Sequence, residues 1–123
     1  MRIGVDVVSI SRIAHSLSVS TKFASRVFAL GEREIAGRMP ECRAHAFLAG
    51  RFAVKEAVIK ALHVRLDDEI ALCDIETRTA EDGGPELHLS ASALCASELL
   101  NLSLWRVSIS HENDLAIAFV VAY

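Results

Sequence analysis

The fold is decided by residues 41–62, which read ECRAHAFLAGRFAVKEAVIKAL. The segment follows Met39-Pro40, contains no proline, and has Gly50 as its one weak helix former. Apolar residues recur in it at helical spacing, so the segment predicts one long helix that belongs to the core. The residues that carry this spacing are Ala44, Leu48, Phe52, Ile59 and Leu62.

Shorter elements surround this helix. Residues 3–10 are apolar and rich in β-branched side chains, which favours a strand. Ser9 or Ser11 can cap the helix that follows, and Ser90 or Ser92 can cap a later one. Helices are predicted near 12–18, 22–29, 32–38 and 91–101, with Gly31 as a helix breaker. Strands are predicted over 71–79, around 87–89, and over 104–110 and 115–123, with loops or turns at 63–69, 81–85 and 112–114.

The order of these elements is a strand, short helices, the long helix, a hairpin, a helix and a second hairpin. Strands grouped after helices favour an α+β fold with antiparallel pairing. Residues 115–123 are apolar on both faces, as expected for a central or interface strand. We therefore expect an antiparallel sheet packed on the long helix plus shorter helices, with the 123 residues forming a single domain over 1–123.

Composition excludes several classes of protein. Hydrophobic residues make up 52% of the chain and charged residues 24%, which rules out general disorder. No apolar run reaches the roughly 18–20 residues that a membrane helix needs, and Asp6 interrupts the stretch where a signal peptide would be apolar. The cysteines, Cys42, Cys73 and Cys95, show no CxxC spacing, so we expect a reducing, cytoplasmic location and no disulfide framework.

Charge is distributed unevenly along the chain, whose net charge is −3. Residues 1–60 hold ten Lys and Arg against five Asp and Glu, whereas residues 61–123 hold three against eleven. The two halves therefore carry +5 and −8. A basic half on an acidic protein suggests a local anionic partner, although two solvated faces that merely differ would give the same pattern.

Five positions could carry chemistry, each with an ordinary alternative. Asp6 lies inside an apolar strand, where an ionised carboxylate must be paired, bound to a metal or at a wet edge. Glu56 and Lys60 are four residues apart, so they share one helix face. They could form an ordinary surface ion pair, or they could bind a cation and a phosphate. Arg51 could bind a phosphate, or it could simply be solvated. His111 lies at the end of a strand, where it could be a site residue or a structural histidine.

Taken together, these residues suit magnesium-assisted phosphoryl chemistry. Carboxylates supply oxygen ligands for a hard cation, and Lys and Arg neutralise phosphate charge. The chain has no GxxxxGK[ST] or GxGxxG loop, which argues against a P-loop kinase or a dinucleotide-binding fold. Aromatic residues make up only 6% of the chain and no basic stripe is interleaved with them, so no nucleic-acid partner is expected.

The same residues lie in motifs that resemble one known family. The chain resembles the holo-[acyl-carrier-protein] synthases, the small class of 4′-phosphopantetheinyl transferases. The resemblance runs in order from residue 3 to the last strand, and the pattern FLAGRFAxKEAxxKA is its most specific part. The matching stretches are 3–7 with 10–13, 47–57 with 60–61, 83–85 and 105–111.

This resemblance implies a transfer reaction. The 4′-phosphopantetheine arm of coenzyme A passes to a serine hydroxyl of an acyl carrier protein, which leaves adenosine 3′,5′-bisphosphate. Asp6 and Glu56 match the family's magnesium-binding carboxylates, and Lys60 matches the lysine that contacts the pyrophosphate and supports the leaving group. Because the carrier supplies the nucleophile, the enzyme needs no Ser or Cys nucleophile of its own. The resemblance implies Glu56 and Lys60 as the catalytic residues, with Glu56 or water on the metal as the candidate base.

The resemblance also implies how the two substrates are held. Arg51 and His111 match positions near the nucleotide phosphates of coenzyme A, and Gly83 and Pro85 match a turn close to its adenosine. The family is a homotrimer with its sites between subunits, which would use the apolar excess of the chain. The residues that match the basic surface gripping the acidic helix of the carrier are Arg12, Lys22 and Arg26.

Two other functions would use the same residues. One is a different magnesium-dependent phosphoryl transferase or phosphohydrolase, which would act without a carrier protein. The other is a non-catalytic oligomeric scaffold that binds an acidic helix through its basic half, although the intact Asp6, Glu56 and Lys60 argue against it. The class of carrier, for fatty-acid, polyketide or peptidyl synthesis, stays open.

Overall fold

The computed structural model describes residues 1–63 and 69–123. The helices in these ranges are α1 (Ile10–Val19), α2 (Thr21–Val27), α3 (Leu30–Gly37), α4 (Glu41–Leu62) and α5 (Ala91–Leu99). The strands are β1 (Arg2–Ser9), β2 (Ile75–Thr79), β3 (Pro85–Leu89), β4 (Trp105–Glu112) and β5 (Leu115–Ala122). In these two ranges no helix is long and apolar enough to cross a membrane. A loop is predicted over 63–69, and its residues 64–68 lie outside the described ranges.

The strands nearest the two chain ends pair with each other in the main sheet. The strand order is β1-β5-β4, all antiparallel, and the register places Arg2 and Trp105 on either side of Ala122. The tight turn between β4 and β5 includes Asn113, whose φ of 52° lies in the left-handed region that asparagine tolerates. The position of β5 between two strands confirms the central strand predicted from its two apolar faces.

Small side chains let α4 pack closely on the inner face of this sheet. Fully buried alanines occur at every fourth position of the helix, and others lie along β5. At Gly4 of β1 a Cβ atom would lie 1.9 Å from the carbonyl oxygen of Ala57, so only glycine permits this approach of strand and helix. The alanines are Ala49, Ala53, Ala57 and Ala61 on α4, and Ala116, Ala118 and Ala122 on β5.

Other elements enclose the rest of α4. The helices α1 and α3 pack against it, and so does β2 of the β2–β3 hairpin, which forms a separate two-stranded sheet. Ile75, which pairs with Leu89 in that hairpin, is fully buried. Because α4 has neighbours on several sides, its buried residues are spread around its circumference, as expected for a core helix.

The second predicted helix ends earlier than expected. The helix predicted over 22–29 ends at Val27, because the backbone is extended at Phe28 (φ −103°, ψ 139°), whose ring is fully buried. Gly31 does not break a helix. It lies in the first turn of α3, where a Cβ atom would lie 2.6 Å from Oε2 at the end of the Glu76 side chain.

The strand predicted over 71–79 is also shorter than expected. Leu72–Asp74 form a 3-10 turn, and β2 begins at Ile75. Asp74 instead holds the start of α5: its carbonyl oxygen accepts the N–H of Ser90 over 2.9 Å, and its Oδ2 accepts the N–H of Ser92 over 3.0 Å. The first residues of this alternating stretch therefore hold the start of α5, and only the later ones form a strand.

Candidate active site

The contact between β1 and α4 brings predicted site residues together. The inner face of β1 presents Gly4 and then Asp6, because alternate residues of a strand share a face. Nζ of Lys60 donates to Oδ1 of Asp6 over 2.9 Å and to the carbonyl oxygen of Val5 over 3.0 Å. The side chain of Asp6 is 16% exposed and that of Lys60 is 56% exposed, so the pair opens toward solvent.

Glu56 lies one helical turn before Lys60 and shares a cleft with Asp6. Burial raises the pKa of Glu56 above its ordinary value, and the negative charge of Asp6 raises it further, whereas Lys60 acts in the opposite direction. The cleft has a volume of about 350 Å³. Other side chains that line it include Arg12, Phe23 and Phe52.

The two carboxylates fit a divalent cation such as Mg²⁺. Their oxygen atoms are the ligands that hard cations prefer, and a cation would relieve the repulsion that raises the pKa of Glu56. Among residues 1–63 and 69–123, no group of three His, Cys, Asp or Glu side chains is arranged to share a metal. A pair is compatible with Mg²⁺, which commonly takes one or two carboxylates and fills its shell with water and substrate phosphates.

A second group of predicted residues lies along the first half of α4. The guanidinium carbon of Arg51 stacks 4.1 Å from the centroid of the Phe47 ring. Nε of Arg51 is buried and has no hydrogen-bond partner within the described part of the chain. Burial also lowers the pKa of Arg51, against the opposing charge of Glu32. A buried donor without a partner is costly, and a phosphate oxygen would satisfy it.

His111 lies near the end of β4, beside the same part of α4. Its Nε2 donates to the carbonyl oxygen of Ala46 over 2.9 Å, which leaves Nδ1 as the acceptor nitrogen of the neutral ring. Gly50 permits this approach, because a Cβ atom there would lie 3.0 Å from Nε2 of His111. The glycine that weakens the helix therefore makes room for the predicted site histidine.

The turn that joins β2 to β3 carries Gly83 and Pro85. The φ of Gly83 is 88°, which favours glycine, and the N–H of Gly84 donates to Oδ1 of Asp82 over 2.9 Å. Pro85 then begins β3. Neither Gly83 nor Pro85 is among the described residues that line the cleft on β1 and α4.

The three predicted carrier-binding residues lie on consecutive helices. Arg12 is exposed on α1 and lines the cleft, while Lys22 and Arg26 are exposed on α2, which contributes Phe23 to the same cleft. One chain therefore gathers part of the predicted site around β1, α1 and α4. The predicted nucleotide-binding residues that do not line this cleft, as far as the chain is described, are Arg51, Gly83, Pro85 and His111.

A buried ion pair beside the site was missed in the sequence. Nζ of Lys55 lies 2.7 Å from Oε1 of Glu32, and both side chains are fully buried. Nζ also donates to the carbonyl oxygens of Leu72, over 3.1 Å, and of Ile75. Burial lowers the pKa of Lys55, whereas the charge and hydrogen bond of Glu32 raise it.

Glu32 joins three elements through its two oxygens. Oε1 accepts the N–H of Ala29 over 2.9 Å as well as Nζ of Lys55, and Oε2 accepts the N–H of Thr77 over 3.1 Å. The pair therefore ties α3, α4 and β2 together in one satisfied network. The burial of Lys55 has a signal in the sequence. Lys55 lies seven residues after Leu48 and seven before Leu62, so it shares their face of α4.

Comparison with known proteins supplies a family for this arrangement. The family model of the 4′-phosphopantetheinyl transferase superfamily matches residues 2–120. The holo-[acyl-carrier-protein] synthase of Nitratidesulfovibrio vulgaris (strain DP4) is 42% identical over 120 residues, which cover 97% of this chain and 94% of the relative. The holo-[acyl-carrier-protein] synthase of Geobacillus kaustophilus (strain HTA426) is 40% identical over 119 residues, which cover 97% and 85%.

Solved structures agree over the same span. The holo-[acyl-carrier-protein] synthase of Helicobacter pylori in complex with coenzyme A gives a TM-score of 0.82 at 32% identity, covering 98% of this chain and 99% of that one. The Bacillus anthracis enzyme in complex with CoA (3′,5′-ADP) gives a TM-score of 0.80 at 34% identity, covering 98% of this chain and 94% of that one. The predicted α+β fold and the predicted resemblance are both confirmed. The chain belongs to the 4′-phosphopantetheinyl transferase superfamily.

Proposed function

We propose that this chain is an enzyme that transfers the 4′-phosphopantetheine group of coenzyme A to a serine of an apo acyl carrier protein. The observation that carries the proposal is the Asp6 and Glu56 pair, which opens to a cleft beside Lys60 and Arg12. Its relatives are holo-[acyl-carrier-protein] synthases, and two of the similar structures are complexes with coenzyme A or its nucleotide.

The reaction makes one bond to phosphorus and breaks another. The serine oxygen of the carrier attacks the phosphorus bonded to the pantetheine arm, and the bond from that phosphorus to the bridging oxygen breaks. The products are a phosphodiester on the carrier serine and adenosine 3′,5′-bisphosphate. The protein must therefore accept the serine proton and stabilise the negative charge on the departing phosphate.

Glu56 and Lys60 are suited to these two tasks. Glu56 lines the cleft, where its carboxylate can accept the proton of the carrier serine as the general base. Lys60 places a half-exposed ammonium group beside the same cleft and can donate to a phosphate oxygen. Asp6 and Glu56 are the residues that would hold Mg²⁺, and the cation when bound supplies charge neutralisation to the pyrophosphate.

We further propose that the nucleotide end of coenzyme A meets residues of a neighbouring subunit. The guanidinium group of Arg51, whose Nε has no partner in the described chain, is suited to a phosphate, and His111 lies beside the same part of α4. Since Gly83, Pro85, Arg51 and His111 do not line the Asp6 cleft within the described chain, a second copy can supply them. This arrangement corresponds to a homotrimer with its sites between subunits.

The outer face of the main sheet supports this assembly. The side chains of Ile3, Val5, Val7 and Phe119 lie on that face and are 59%, 50%, 56% and 44% exposed. Apolar side chains arranged across paired strands form a contiguous patch, which in a small protein marks an interaction surface. A second copy of this chain would cover the patch. The expected particle in sedimentation analysis has three times the 13.4 kDa of one chain.

The acidic partner would dock on α1 and α2. Arg12, Lys22 and Arg26 are exposed there, next to the cleft that holds Glu56. Opposite charges on the carrier would steer its approach and weaken the complex as salt rises. Charge complementarity of this kind places the carrier serine near the cleft without any large apolar contact.

Residues 1–123 would act as a single phosphopantetheinyl transferase domain in the cytoplasm. The pairing of β1 with β5 and their shared contact with α4 support one structural unit. Cys42, Cys73 and Cys95 are free thiols, which suits a reducing compartment.

Intact-protein mass spectrometry tests the reaction directly. The protein is mixed with an apo acyl carrier protein, coenzyme A and Mg²⁺, with EDTA in a parallel sample. The expected result is a carrier mass increased by one phosphopantetheine group, and no increase with EDTA. No mass gain with several carriers would overturn the proposed transfer. Consumption of coenzyme A without a carrier would instead support a phosphohydrolase.

Subunit complementation tests the shared site. The variants Asp6→Ala and His111→Ala, each inactive or weak alone, are unfolded together and refolded as a mixture. If each site combines Asp6 of one copy with His111 of another, some mixed trimers contain one intact site and activity returns. A mixture as inactive as its components would show that both residues act within one chain.

A further inference from the structure

The turn between β4 and β5 holds the start of α1 through Asp114. The N–H of Ile10 donates to the carbonyl oxygen of Asp114 over 2.8 Å, and the N–H of Ser11 donates to its Oδ1 over 3.0 Å. Oδ2 of Asp114 accepts from the hydroxyls of Ser11, over 2.7 Å, and Ser9, over 2.9 Å. One residue distant in sequence therefore makes four hydrogen bonds to the entry of this helix.

These bonds satisfy backbone groups that a helix cannot satisfy by itself. The first N–H groups of an α-helix have no intrahelical partner. In α1, Asp114 accepts the N–H groups of Ile10 and Ser11. Oγ of Ser9 accepts the N–H of Arg12 over 3.3 Å. The donors are aimed at fixed acceptors, so the direction in which α1 leaves the sheet depends on the β4–β5 turn.

The first turn of α1 also carries a residue of the proposed carrier surface. Arg12 is exposed, lines the cleft with Asp6 and Glu56, and has its own N–H held within the same cluster. A small rotation of α1 would move its guanidinium group relative to the cleft. Asp114 itself is exposed and is not among the described residues that line the cleft.

We propose that Asp114 is a positioning residue, which orients α1 so that Arg12 meets the acidic carrier beside the cleft. This inference rests on the proposed function and adds to it a residue outside the site. The hydrogen bonds of Ser11 and Ser9 also lower the pKa of the Asp114 carboxyl, so the acceptor stays ionised at neutral pH. Because the residue is exposed, its loss removes these bonds without opening the core.

The test compares Asp114→Ala, Asp114→Asn and the control Glu112→Ala in the transfer assay. Glu112 carries the same charge, ends β4 beside the turn and is exposed. Loss of a helix cap corresponds to about a fivefold change in an equilibrium constant, so D114A should raise the KM for the carrier about fivefold. The KM for coenzyme A should stay within about twofold. D114N, which keeps an acceptor oxygen for the N–H of Ser11, should recover most of the loss.

A double-mutant cycle with Arg12→Ala shows whether Asp114 acts through Arg12. If it does, D114A has no further effect on the carrier KM once Arg12 is absent. Hydrogen exchange of the Ser11 amide, which should speed up in D114A, gives a readout independent of activity.

The possible failures are distinguishable. Wild-type protein without any transfer activity would overturn the proposed function and this role for Asp114 together. Normal wild-type transfer with an unchanged carrier KM in D114A would overturn this inference alone. Equal rises of the KM for carrier and for coenzyme A, or full additivity with Arg12→Ala, would also contradict it.

Discussion

Two lysines of α4, five residues apart, make ion pairs of nearly the same length in opposite surroundings. Lys55 lies 2.7 Å from Glu32, and both side chains are fully buried. Lys60 lies 2.9 Å from Asp6, and its side chain is 56% exposed. The distance between the charges is therefore a poor guide to what each pair does.

The difference between the pairs is solvent. Lys55 has exchanged water for Glu32 and two carbonyl oxygens, so removal of either charge would leave the other buried without a partner. Lys60 keeps contact with water, and its bond to Asp6 can be exchanged for a bond to a phosphate at small cost. The buried pair maintains the fold, and the exposed pair is available for chemistry.

Breaking the buried pair should have the largest effect. Lys55→Met leaves the carboxylate of Glu32 buried without its cation, and we expect the free energy of unfolding to fall by about 3–5 kcal/mol. Urea unfolding followed by circular dichroism measures this loss. The double variant Glu32→Leu with Lys55→Met should recover much of it, since no lone charge remains. A loss below about 1 kcal/mol in the single variant would remove the distinction between the two pairs.

The exposed pair should show the reverse pattern. Lys60→Met removes the ammonium group proposed to stabilise the leaving phosphate, and we expect transfer to slow about 10²–10³-fold. The free energy of unfolding should change by less than about 1 kcal/mol, because exposed pairs contribute little. Transfer kinetics and urea unfolding of one preparation check both numbers. If Lys60→Met unfolds easily but retains its transfer activity, the exposed pair would stabilise the fold and would not take part in the reaction.

Arg51 is an intermediate case on the same helix, half-buried and with an unpartnered Nε in the described structure. Arg51→Met keeps the apolar stem against Phe47 but removes the donor. We expect the KM for coenzyme A to rise about tenfold, the effect of one charge-assisted hydrogen bond, with the carrier KM nearly unchanged. Steady-state kinetics with each substrate varied in turn separates the two. A rise confined to the carrier KM would exclude the proposed phosphate contact.

The smallest expected effect is a gain in stability at Glu56. Its raised pKa means that the folded protein binds this proton more tightly than the unfolded chain, so stability falls as pH rises from the unfolded pKa near 4.5 through the higher pKa of the folded state. Glu56→Gln removes that cost. At pH 7.5 without divalent cations its Tm should exceed wild type by about 1–2 °C, a small value because the group is partly solvated.

The same variant gives a second readout at each end of the pH range. At pH 4 the Tm difference between Glu56→Gln and wild type should disappear, since the wild-type carboxyl is protonated in both states. Added Mg²⁺ should raise the Tm of wild type at pH 7.5 and leave the variant unchanged. A Tm that responds equally to Mg²⁺ in both proteins would contradict the assignment of Glu56 to the metal.

Local patterns were sufficient to predict part of this molecule. The helical spacing within 41–62 predicts α4 with its observed bounds, and the apolar faces of 115–123 predict a central strand. The Asp6 and Glu56 pair was also predicted as a unit, and the structure places both in one cleft. These predictions depend on neighbours along the chain or on motifs of a known family.

The unpredicted features depend on partners that are distant in sequence. The burial of Lys55 requires Glu32, and the anchoring of α1 requires Asp114, which lies more than 100 residues beyond Ser11. Gly31 lies inside α3 although glycine is a weak helix former, and the side chain near it, Glu76, comes from another element. Periodicity shows that a face is buried, but it does not show which distant group covers it.

The pairing of β1 with β5 has a consequence for how the protein is made. On a ribosome, residues 2–9 emerge more than 100 residues before residues 115–122, so their backbone groups must wait for the partners seen in the sheet. The strand that carries Asp6 thus joins its sheet only after residues 115–122 have been synthesised. The cleft that contains Asp6 therefore depends on a long-range strand pairing, and such pairings form slowly during folding.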